Sequence, residues 1–420
     1  MIRPRRTLTW ALLLALLVAR SPLDRDIRAQ SRTVRPILIL VSLDGWRWDY
    51  SARFSPPAIS GLARRGVVSE GLIPAFPSKT FPNHYTIVTG LYPARHGVVA
   101  NTMRDPALTG VFSIPNVAVQ QDTRWWGGTP LWVTVEQQGQ IAATMFWPGA
   151  DVEIAGDRPT FWRKFDKSLS NTARVDQVIE WLRQPESTRP TFLTLYFDET
   201  DTVGHEFGPD TPQMRTAVAH IDAAIARLVA GVDQLRLSAR LNLVLVSDHG
   251  MSQSAPDRVI LLEDLVDIST LDVIDWSPIL AIAPRTGSVD DLYRALKDKH
   301  HALQVFKKED LPARYRLSNH PRYPPIIGLA DEGWEITTRE RLAHAKERNG
   351  GDHGYDPMYQ SMHGLFIAVG PAFRSAMTTP RFENVHVYEL LCRVLGIRPA
   401  SNDGDPAVTQ GFLKLATATP

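Results

Sequence analysis

The sequence predicts an α/β fold in which helices sandwich a mostly parallel central sheet. Four short apolar runs of aliphatic residues are typical of strands buried on both faces of such a sheet. They cover residues 36–43, 191–197, 241–246 and 364–369. Residues 172–183 and 213–235 carry an apolar stripe at helical spacing and predict two helices. This alternation of strands and helices is typical of an α/β sandwich.

Polar residues follow three of these predicted strands. Asp44 follows the first strand, Asp201 lies shortly after the second, and Asp248 with His249 follows the third. Ligands of open α/β sheets bind beyond the carboxyl ends of the strands. The sequence therefore predicts that these side chains meet in one site.

The first 29 residues are interpreted as a secretory signal peptide whose cleavage site is open between Ala19 and Ala29. Arg3, Arg5 and Arg6 precede an apolar run that is too short to span a bilayer comfortably. We expect a periplasmic or secreted protein without a stable membrane span. The net charge of +1 disfavours binding in a nucleic-acid groove, but not small phosphorylated partners.

One catalytic domain is predicted over residues 34–420. The less regular segment from about 265 to 351 is interpreted as a lid or cap inserted into the same core. Cys392 is the only cysteine, so no internal disulfide can form, and it is expected to pack as a small apolar residue on a helix. A large core, together with bound metals, must then stabilise the exported protein. The oligomeric state is left open.

A hydroxyl side chain is predicted at a helix N-terminus. Thr80 is placed as the N-cap, Pro82 falls in the first turn, and Gly90 ends the helix. Free N–H groups and the helix dipole at such a start favour a phosphate group. Thr80 is therefore a candidate nucleophile, and the alternative is a threonine that only caps the helix.

Carboxylate and imidazole side chains form a candidate metal site near Thr80. Its members are Asp44, Asp201, His205, Asp248, His249 and His353. Mixed ligands of this kind favour zinc over calcium or magnesium. Two ions about 3.5–4 Å apart would hold the attacking and leaving oxygens of a phosphoryl transfer. A threonine bound to one of them would be a nucleophile near neutral pH.

Each of these elements has a structural alternative. An Asp-His-Gly sequence after a strand is usually a loop with a hydrogen-bonded carboxylate. His363 is the nearest competitor of His353, and its apolar surroundings favour packing. The other histidines are likewise interpreted as packing or surface residues: His84, His96, His220, His300, His301, His320, His344 and His386.

These motifs resemble, in order along residues 36–375, those of the nucleotide pyrophosphatase/phosphodiesterase family in the alkaline phosphatase superfamily. The most specific block is Lys-Thr-Phe-Pro-Asn-His-Tyr at residues 79–85. The remaining blocks lie at residues 44–45, 86–93, 96–97, 101, 148–149, 153–154, 201–205, 208–209, 247–251, 332–334 and 353–356. The resemblance implies an alkaline phosphatase-like fold. The absence of flanking domains and disulfides resembles bacterial members of the family.

The resemblance also implies a role for each site residue. Asp201, His205 and His353 would hold one zinc ion; Asp44, Thr80, Asp248 and His249 would hold the second. Thr80 would form a covalent phospho-threonine intermediate, and Asn101 with a backbone N–H near Thr80 would bind a phosphate oxygen. Phe81 and Phe165 would stack on a nucleobase. The structural alternatives are that Asn101 is a turn residue and that Phe165 is a core aromatic.

The leading hypothesis is an exported dizinc phosphodiesterase that releases nucleoside 5′-monophosphates from nucleotides. A phosphomonoesterase of the same fold is one alternative, although Lys79 stands beside Thr80 where an Arg clamp would be expected. A choline-phospholipid headgroup diesterase is another, with a cation cage drawn from Trp125, Trp126, Trp147 and Trp162. A non-catalytic binding protein on this fold is the last, and all predicted ligand positions being filled argues against it.

Overall fold

The computed structural model describes residues 35–317, 319–344 and 350–414. The described residues from 36 onward cluster as one compact unit. The predicted signal peptide lies outside the described residues. Within the described part of the chain, no helix is both long and apolar enough to cross a bilayer.

The core of the unit is an eight-stranded sheet. From one edge to the other its strands are Met377–Thr379, Val67–Ser69, Phe366–Val369, Leu241–Val246, Ile37–Leu43, Phe192–Phe197, Ala142–Met145 and Phe161–Arg163. Seven of them run in the same direction, and Phe366–Val369 alone is antiparallel to both of its neighbours. The predicted mostly parallel sheet is confirmed.

Helices cover both faces of this sheet. Alternate residues of Ile37–Leu43 point to opposite faces, so Ile39 and Leu40 belong to two separate apolar clusters. The helices of the first cluster are Pro57–Arg65, Asn171–Leu182 and Pro212–Gln234. Those of the second are Thr80–Thr89, Leu131–Glu136 and Val387–Leu395. Cys392 is buried and unbridged on the last of these, as predicted.

The segment predicted as a lid contains a four-stranded antiparallel sheet. Its strands, in spatial order, are Leu271–Asp275, Ile279–Pro284, Ile326–Ala330 and Leu303–Lys307. Ile279 packs in the main core, while Leu280 on the opposite face packs in a separate cluster with the helix Val289–Leu296. This inserted sheet is more regular than the sequence indicated. Its strands are short and are separated by prolines and charged turns, so the sequence pattern did not reveal them.

Shorter elements complete the fold. The remaining strands pair two by two: Leu72–Ile73 with Phe382–Glu383, Thr102–Met103 with Phe112–Ser113, Ser252–Gln253 with Gly351–Asp352, and Val259–Leu261 with Glu335–Thr337. The remaining helices are Tyr50–Phe54, Pro93–His96, Val117–Gln120, Glu199–Phe207, Arg339–His344 and Pro406–Thr409.

One predicted strand has the opposite direction from the one we expected. All four apolar runs form strands, but residues 364–369 were assigned to a parallel sheet and Phe366–Val369 runs antiparallel. Apolar composition reports burial on two faces and carries no information about strand direction. As a consequence, the residues before this strand lie at the edge where the other strands end: Gly250 N–H donates to Met362 O.

Candidate active site

The site is built around the first residue of the helix Thr80–Thr89. The prediction that Thr80 is the N-cap is wrong by one position, because Lys79 is extended and occupies the cap without a side-chain cap bond. Thr80 is therefore already helical, and its hydroxyl is not used to cap the helix. Thr80 Oγ1 lies 3.3 Å from Nε2 of His249. Gly90 ends the helix in the left-handed conformation, as predicted.

The predicted acidic and imidazole residues converge beside this hydroxyl. Asp201, His205 and His353 present ligand atoms within 4.8 Å of one another, as do Asp44, Asp201 and His249. Oδ1 of Asp201 lies 3.4 Å from Nε2 of His205 and 3.5 Å from Nε2 of His353. The strand ends bring these residues together, because parallel strands place their carboxyl ends at one edge.

Asp248 completes the second half of this cluster. Its Oδ2 lies 3.0 Å from Nε2 of His249, and the same nitrogen lies 3.4 Å from Oδ1 of Asp44. Asp44, Asp248 and His249 are each at most 1% exposed. All six predicted metal ligands and Thr80 therefore lie in one connected cluster.

The orientation of the three histidines is fixed by backbone carbonyl groups. Nδ1 of His205 bonds to Gly351 O, and Nδ1 of His353 bonds to Ser78 O. Nδ1 of His249 bonds to Gly250 O. In the neutral imidazole this leaves Nε2 with its lone pair toward the carboxylates, which is the arrangement of metal-ligating histidines.

The donor set fits cations. Oδ1 of Asp44, Oδ1 of Asp201 and Oδ2 of Asp248 are buried and have no hydrogen-bond donor among the described residues. Buried carboxylate oxygens facing imidazole lone pairs are costly unless a positive charge lies between them. Nitrogen and oxygen ligands of this kind suit zinc and similar transition ions.

In the absence of a bound cation, protons partly replace such a charge. Burial, reinforced by the Asp248 and Asp201 carboxylates, raises the pKa of Asp44 well above its usual range. Burial lowers the pKa of His205, but the Asp201 carboxylate outweighs it and raises the pKa to about 9. Neighbouring carboxylates contribute to both shifts, although burial is the larger cause for Asp44.

Two residues that support the cluster were missed by sequence reasoning. The hydroxyl of Tyr196 donates a 2.6 Å hydrogen bond to Oδ2 of Asp44. His84, predicted as a packing or surface residue, is fully buried with Nδ1 2.9 Å from Thr80 O and 3.2 Å from Oδ2 of Asp248. Its Nε2 is 2.8 Å from Ser42 Oγ, so both ring nitrogens are occupied. The i, i+4 spacing from Thr80 was the available signal.

Asn101 lies beside Thr80 and is not merely a turn residue. Its Oδ1 accepts a 2.9 Å hydrogen bond from the backbone N–H of Phe81. That bond uses the carbonyl oxygen of the side chain, so the NH₂ group is the donor left for an oxyanion. The same bond engages the N–H of Phe81, one of the backbone donors near Thr80.

An aromatic cavity of about 340 Å³ opens next to Thr80 and the carboxylates. Phe81, Phe146, Trp147, Phe165 and Tyr196 form its aromatic walls. Phe165 is 51% exposed and meets Phe146 edge to face, with ring centroids 5.2 Å apart. It is therefore a wall of the cavity, and the core interpretation of Phe165 is wrong.

The proposed tryptophan cage does not form. Trp125 and Trp126 are buried, and Trp162 is 38% exposed on an edge strand, where the Arg158 guanidinium lies over its ring. Of the four tryptophans, Trp147 alone lines the aromatic cavity. Lys79 beside Thr80 is not free to act as a phosphate clamp, since its Nζ is 2.6 Å from Oδ2 of Asp275.

A mostly parallel sheet that places a helix-start hydroxyl among clustered carboxylates and imidazoles defines a metal-dependent hydrolase with an alkaline phosphatase-like fold. A family model described as "Type I phosphodiesterase / nucleotide pyrophosphatase" matches residues 38–356. The chain belongs to this family of phosphodiesterases, and the predicted resemblance is confirmed at that level. Its assignment to the bacterial members stays a prediction.

Curated relatives and solved structures agree with this assignment. The chain is 37% identical over 380 residues to human ectonucleotide pyrophosphatase/phosphodiesterase family member 5, covering 90% of this chain and 78% of the relative. It is 38% identical over 378 residues to human bis(5′-adenosyl)-triphosphatase ENPP4, covering 89% and 81%. The structure of an inactive threonine-to-alanine variant of murine member 5 with AMP matches with a TM-score of 0.85 and 36% identity, covering 90% of this chain and 100% of that one.

Proposed function

We propose that the protein is an exported dizinc hydrolase that cleaves phosphodiester and pyrophosphate bonds of nucleotides and releases nucleoside 5′-monophosphates. The observation that carries the proposal is the position of Thr80. Its hydroxyl lies at the start of a ten-residue helix, 3.3 Å from His249 Nε2. At this point the cluster of carboxylates and imidazoles borders the aromatic cavity.

The cluster divides into two proposed metal sites. Asp201, His205 and His353 would hold one zinc ion. The other would be held by Asp44, Thr80, Asp248 and His249. Bound zinc would lower the pKa of the threonine hydroxyl and balance the negative charge of the carboxylates and the phosphate.

Substrate positioning would fall to the cavity and the helix start. Phe81 and Phe165 would stack on the nucleobase, so that the nucleoside is the group that stays on phosphorus. A backbone N–H near Thr80 and the Asn101 NH₂ group would bind a non-bridging oxygen.

Two displacements at phosphorus would follow. The Thr80 hydroxyl releases its proton to solvent as its oxygen forms a bond to phosphorus, and the bond to the leaving-group oxygen breaks, which gives a phospho-threonine ester and the free leaving group. A water oxygen then attacks the same phosphorus and releases a proton, the bond to Thr80 Oγ1 breaks, Oγ1 regains a proton, and the nucleoside 5′-monophosphate is released. The inactive threonine-to-alanine variant of the murine relative supports an essential threonine.

The test uses the exported protein purified without chelators. We expect zinc near two equivalents per chain and much faster hydrolysis of the nitrophenyl ester of thymidine 5′-monophosphate than of nitrophenyl phosphate. Thr80→Val should lose at least about a thousandfold in kcat while retaining its zinc. Thr144→Val is the matched control, because that buried hydroxyl has no hydrogen-bond partner among the described residues.

Four outcomes would reject parts of the proposal. Turnover by a zinc-loaded Thr80→Val protein would remove the covalent intermediate. A strong preference for the monoester would favour a phosphomonoesterase, and hydrolysis of phosphocholine esters alone would favour a lipid headgroup diesterase. N-terminal sequencing of the protein recovered outside the cytoplasm tests export, and an intact N-terminus on a cytoplasmic protein would reject it.

A further inference from the structure

A buried ion pair links the residue before Thr80 to the inserted sheet. Lys79 Nζ lies 2.6 Å from Oδ2 of Asp275, and the two side chains are 8% and 18% exposed. The same ammonium group also donates to Ser277 O at 3.4 Å. Among the described residues, both partners of Lys79 Nζ therefore come from the inserted segment.

The pair lies on the side of the site that holds His353. The Lys79 stem packs against Gly354, where an added Cβ would be 3.1 Å from Lys79 Cε. Ser78 O, one residue before Lys79, accepts the Nδ1–H of His353. The aromatic cavity opens elsewhere, since neither Lys79 nor Asp275 belongs to its walls. A substrate whose nucleoside fills the cavity would extend its leaving group toward the pair.

Asp275 reaches Lys79 because of an irregularity in the inserted sheet. The register of Leu271–Asp275 with its neighbouring strand shifts between Val273 and Asp275. Such bulges redirect a side chain relative to the regular alternation of a strand. The inserted segment thus supplies the carboxylate that pairs with Lys79. Without it, the ammonium group beside Thr80 would be unpaired.

We propose that Asp275 is a specificity-determining residue, which neutralises Lys79 and so limits the preference of the enzyme for highly charged leaving groups. This inference rests on the proposed function. An unpaired ammonium group beside the site attracts a pyrophosphate leaving group more strongly than a singly charged phenolate. The paired ammonium group adds no net charge, so both leaving groups are treated alike by this part of the site.

The experiment is a double-mutant cycle with two substrates. ATP has a pyrophosphate leaving group, and the nitrophenyl ester of thymidine 5′-monophosphate has a nitrophenolate. We compare the ratio of kcat/KM values, ATP over ester, in the wild type, Asp275→Asn, Lys79→Met and the double variant. Asp290→Asn is the control, because Asp290 pairs with Lys307 in the same segment without contacting the site.

The expected ratios follow the net charge of the pair. Asp275→Asn should raise the ratio about threefold to tenfold, the effect of one charge on two or three others across about 10 Å of hydrated protein. Lys79→Met should lower it by a similar factor, and the double variant and Asp290→Asn should match the wild type. Raising the salt concentration to about 1 M should reduce these differences, since ions screen the charges.

A constant ratio overturns the inference. If all variants lose activity equally on both substrates, the pair only stabilises the nucleophile segment. If Asp275→Asn does not fold, Lys79→Met tests the same claim with the opposite sign. A wild-type protein that hydrolyses neither nucleotide rejects the proposed function instead, so the two failures are distinguishable.

Discussion

The Tyr196 hydroxyl donates a 2.6 Å hydrogen bond to Oδ2 of Asp44. Because Tyr196 also lines the aromatic cavity, this bond joins the cavity wall to the cluster of carboxylates and imidazoles. The two residues sit at the ends of adjacent parallel strands, where Tyr196 is in register with Ser42. The sheet therefore fixes the distance between them. Oδ1 of Asp44, in contrast, has no donor among the described residues and is free to bind a cation.

Loss of this hydrogen bond should weaken metal binding. A hydrogen-bond donor to a ligating carboxylate orients it, and removal of such a donor typically costs about 10–100-fold in affinity or activity. We expect Tyr196→Phe to lower zinc affinity by such a factor, measured by competition with a chelator. Tyr50→Phe is the control, because the Tyr50 hydroxyl is buried without a hydrogen-bond partner. Equal zinc affinity in both variants would contradict the supporting role of Tyr196.

Asp44→Asn should change stability in opposite directions with and without metal. Burial and two neighbouring carboxylates make a charged Asp44 unfavourable in the metal-free protein, so the amide should raise its melting temperature. With zinc at about a hundredfold over its Kd, a bound ion stabilises the wild type by about 2.7 kcal/mol, and the variant should lose much of that gain. Thermal unfolding after chelation and after zinc addition measures both.

The exposed pair of Asp176 and Arg227 provides the control for this sign change. Asp176→Asn removes a solvent-exposed ion pair, which contributes little in either condition. If Asp44→Asn destabilises the metal-free protein as well, the carboxylates do not repel one another as the structure indicates.

His96 should make the protein less stable as the pH falls from 7 to 5. Burial lowers its folded-state pKa from 6.5 to about 3. Nδ1 accepts from Val98 N–H, and Nε2 lies 3.0 Å from Thr86 Oγ1. Between those two pKa values the unfolded chain binds a proton that the folded chain does not, so stability rises with pH. Titration of His96 should therefore lower the free energy of unfolding by about 2 kcal/mol between pH 7 and pH 5.

Urea unfolding at the two pH values measures this contribution. His96→Gln keeps a hydrogen-bonding side chain without a titrating group, and we expect its unfolding free energy to vary less with pH by that amount. Thr144→Val, which changes a buried side chain without a titrating group, should leave the wild-type pH dependence intact. An unchanged slope in His96→Gln would show that His96 binds protons equally in the folded and unfolded states.

Phe165→Ala should reduce nucleotide hydrolysis through loss of stacking. An aromatic side chain contributes about 1–3 kcal/mol to binding a nucleobase, so kcat/KM for nucleotide esters should fall at least about fivefold, mainly through KM. Phe165→Tyr keeps the ring and should retain activity. A diester without a nucleoside, bis-nitrophenyl phosphate, should be hydrolysed equally by all three proteins. A parallel loss on that substrate would place the effect on the chemistry and not on stacking.

The fold class and the site residues were predictable because both depend on local patterns. Buried strands are apolar on both faces, and the residues after Ile37–Leu43 and Leu241–Val246 must meet at one edge if the strands are parallel. Parallel strand direction alone therefore predicted that Asp44 and Asp248 lie close together, as they do. The direction of Phe366–Val369 was not predictable, since composition records burial and not orientation.

By itself, the sequence determined which side chains are chemically able to bind metal, attack phosphorus and stack on a base. The tertiary structure alone decided that Thr80 is helical, that His84 and Tyr196 support the cluster, and that Asp275 neutralises Lys79. The side-chain contacts join residues up to 196 positions apart. The helical conformation of Thr80 depends on whether the helix begins at that residue or one later. Distances of that kind arise only when separate elements pack, because no local pattern records the partner of a side chain.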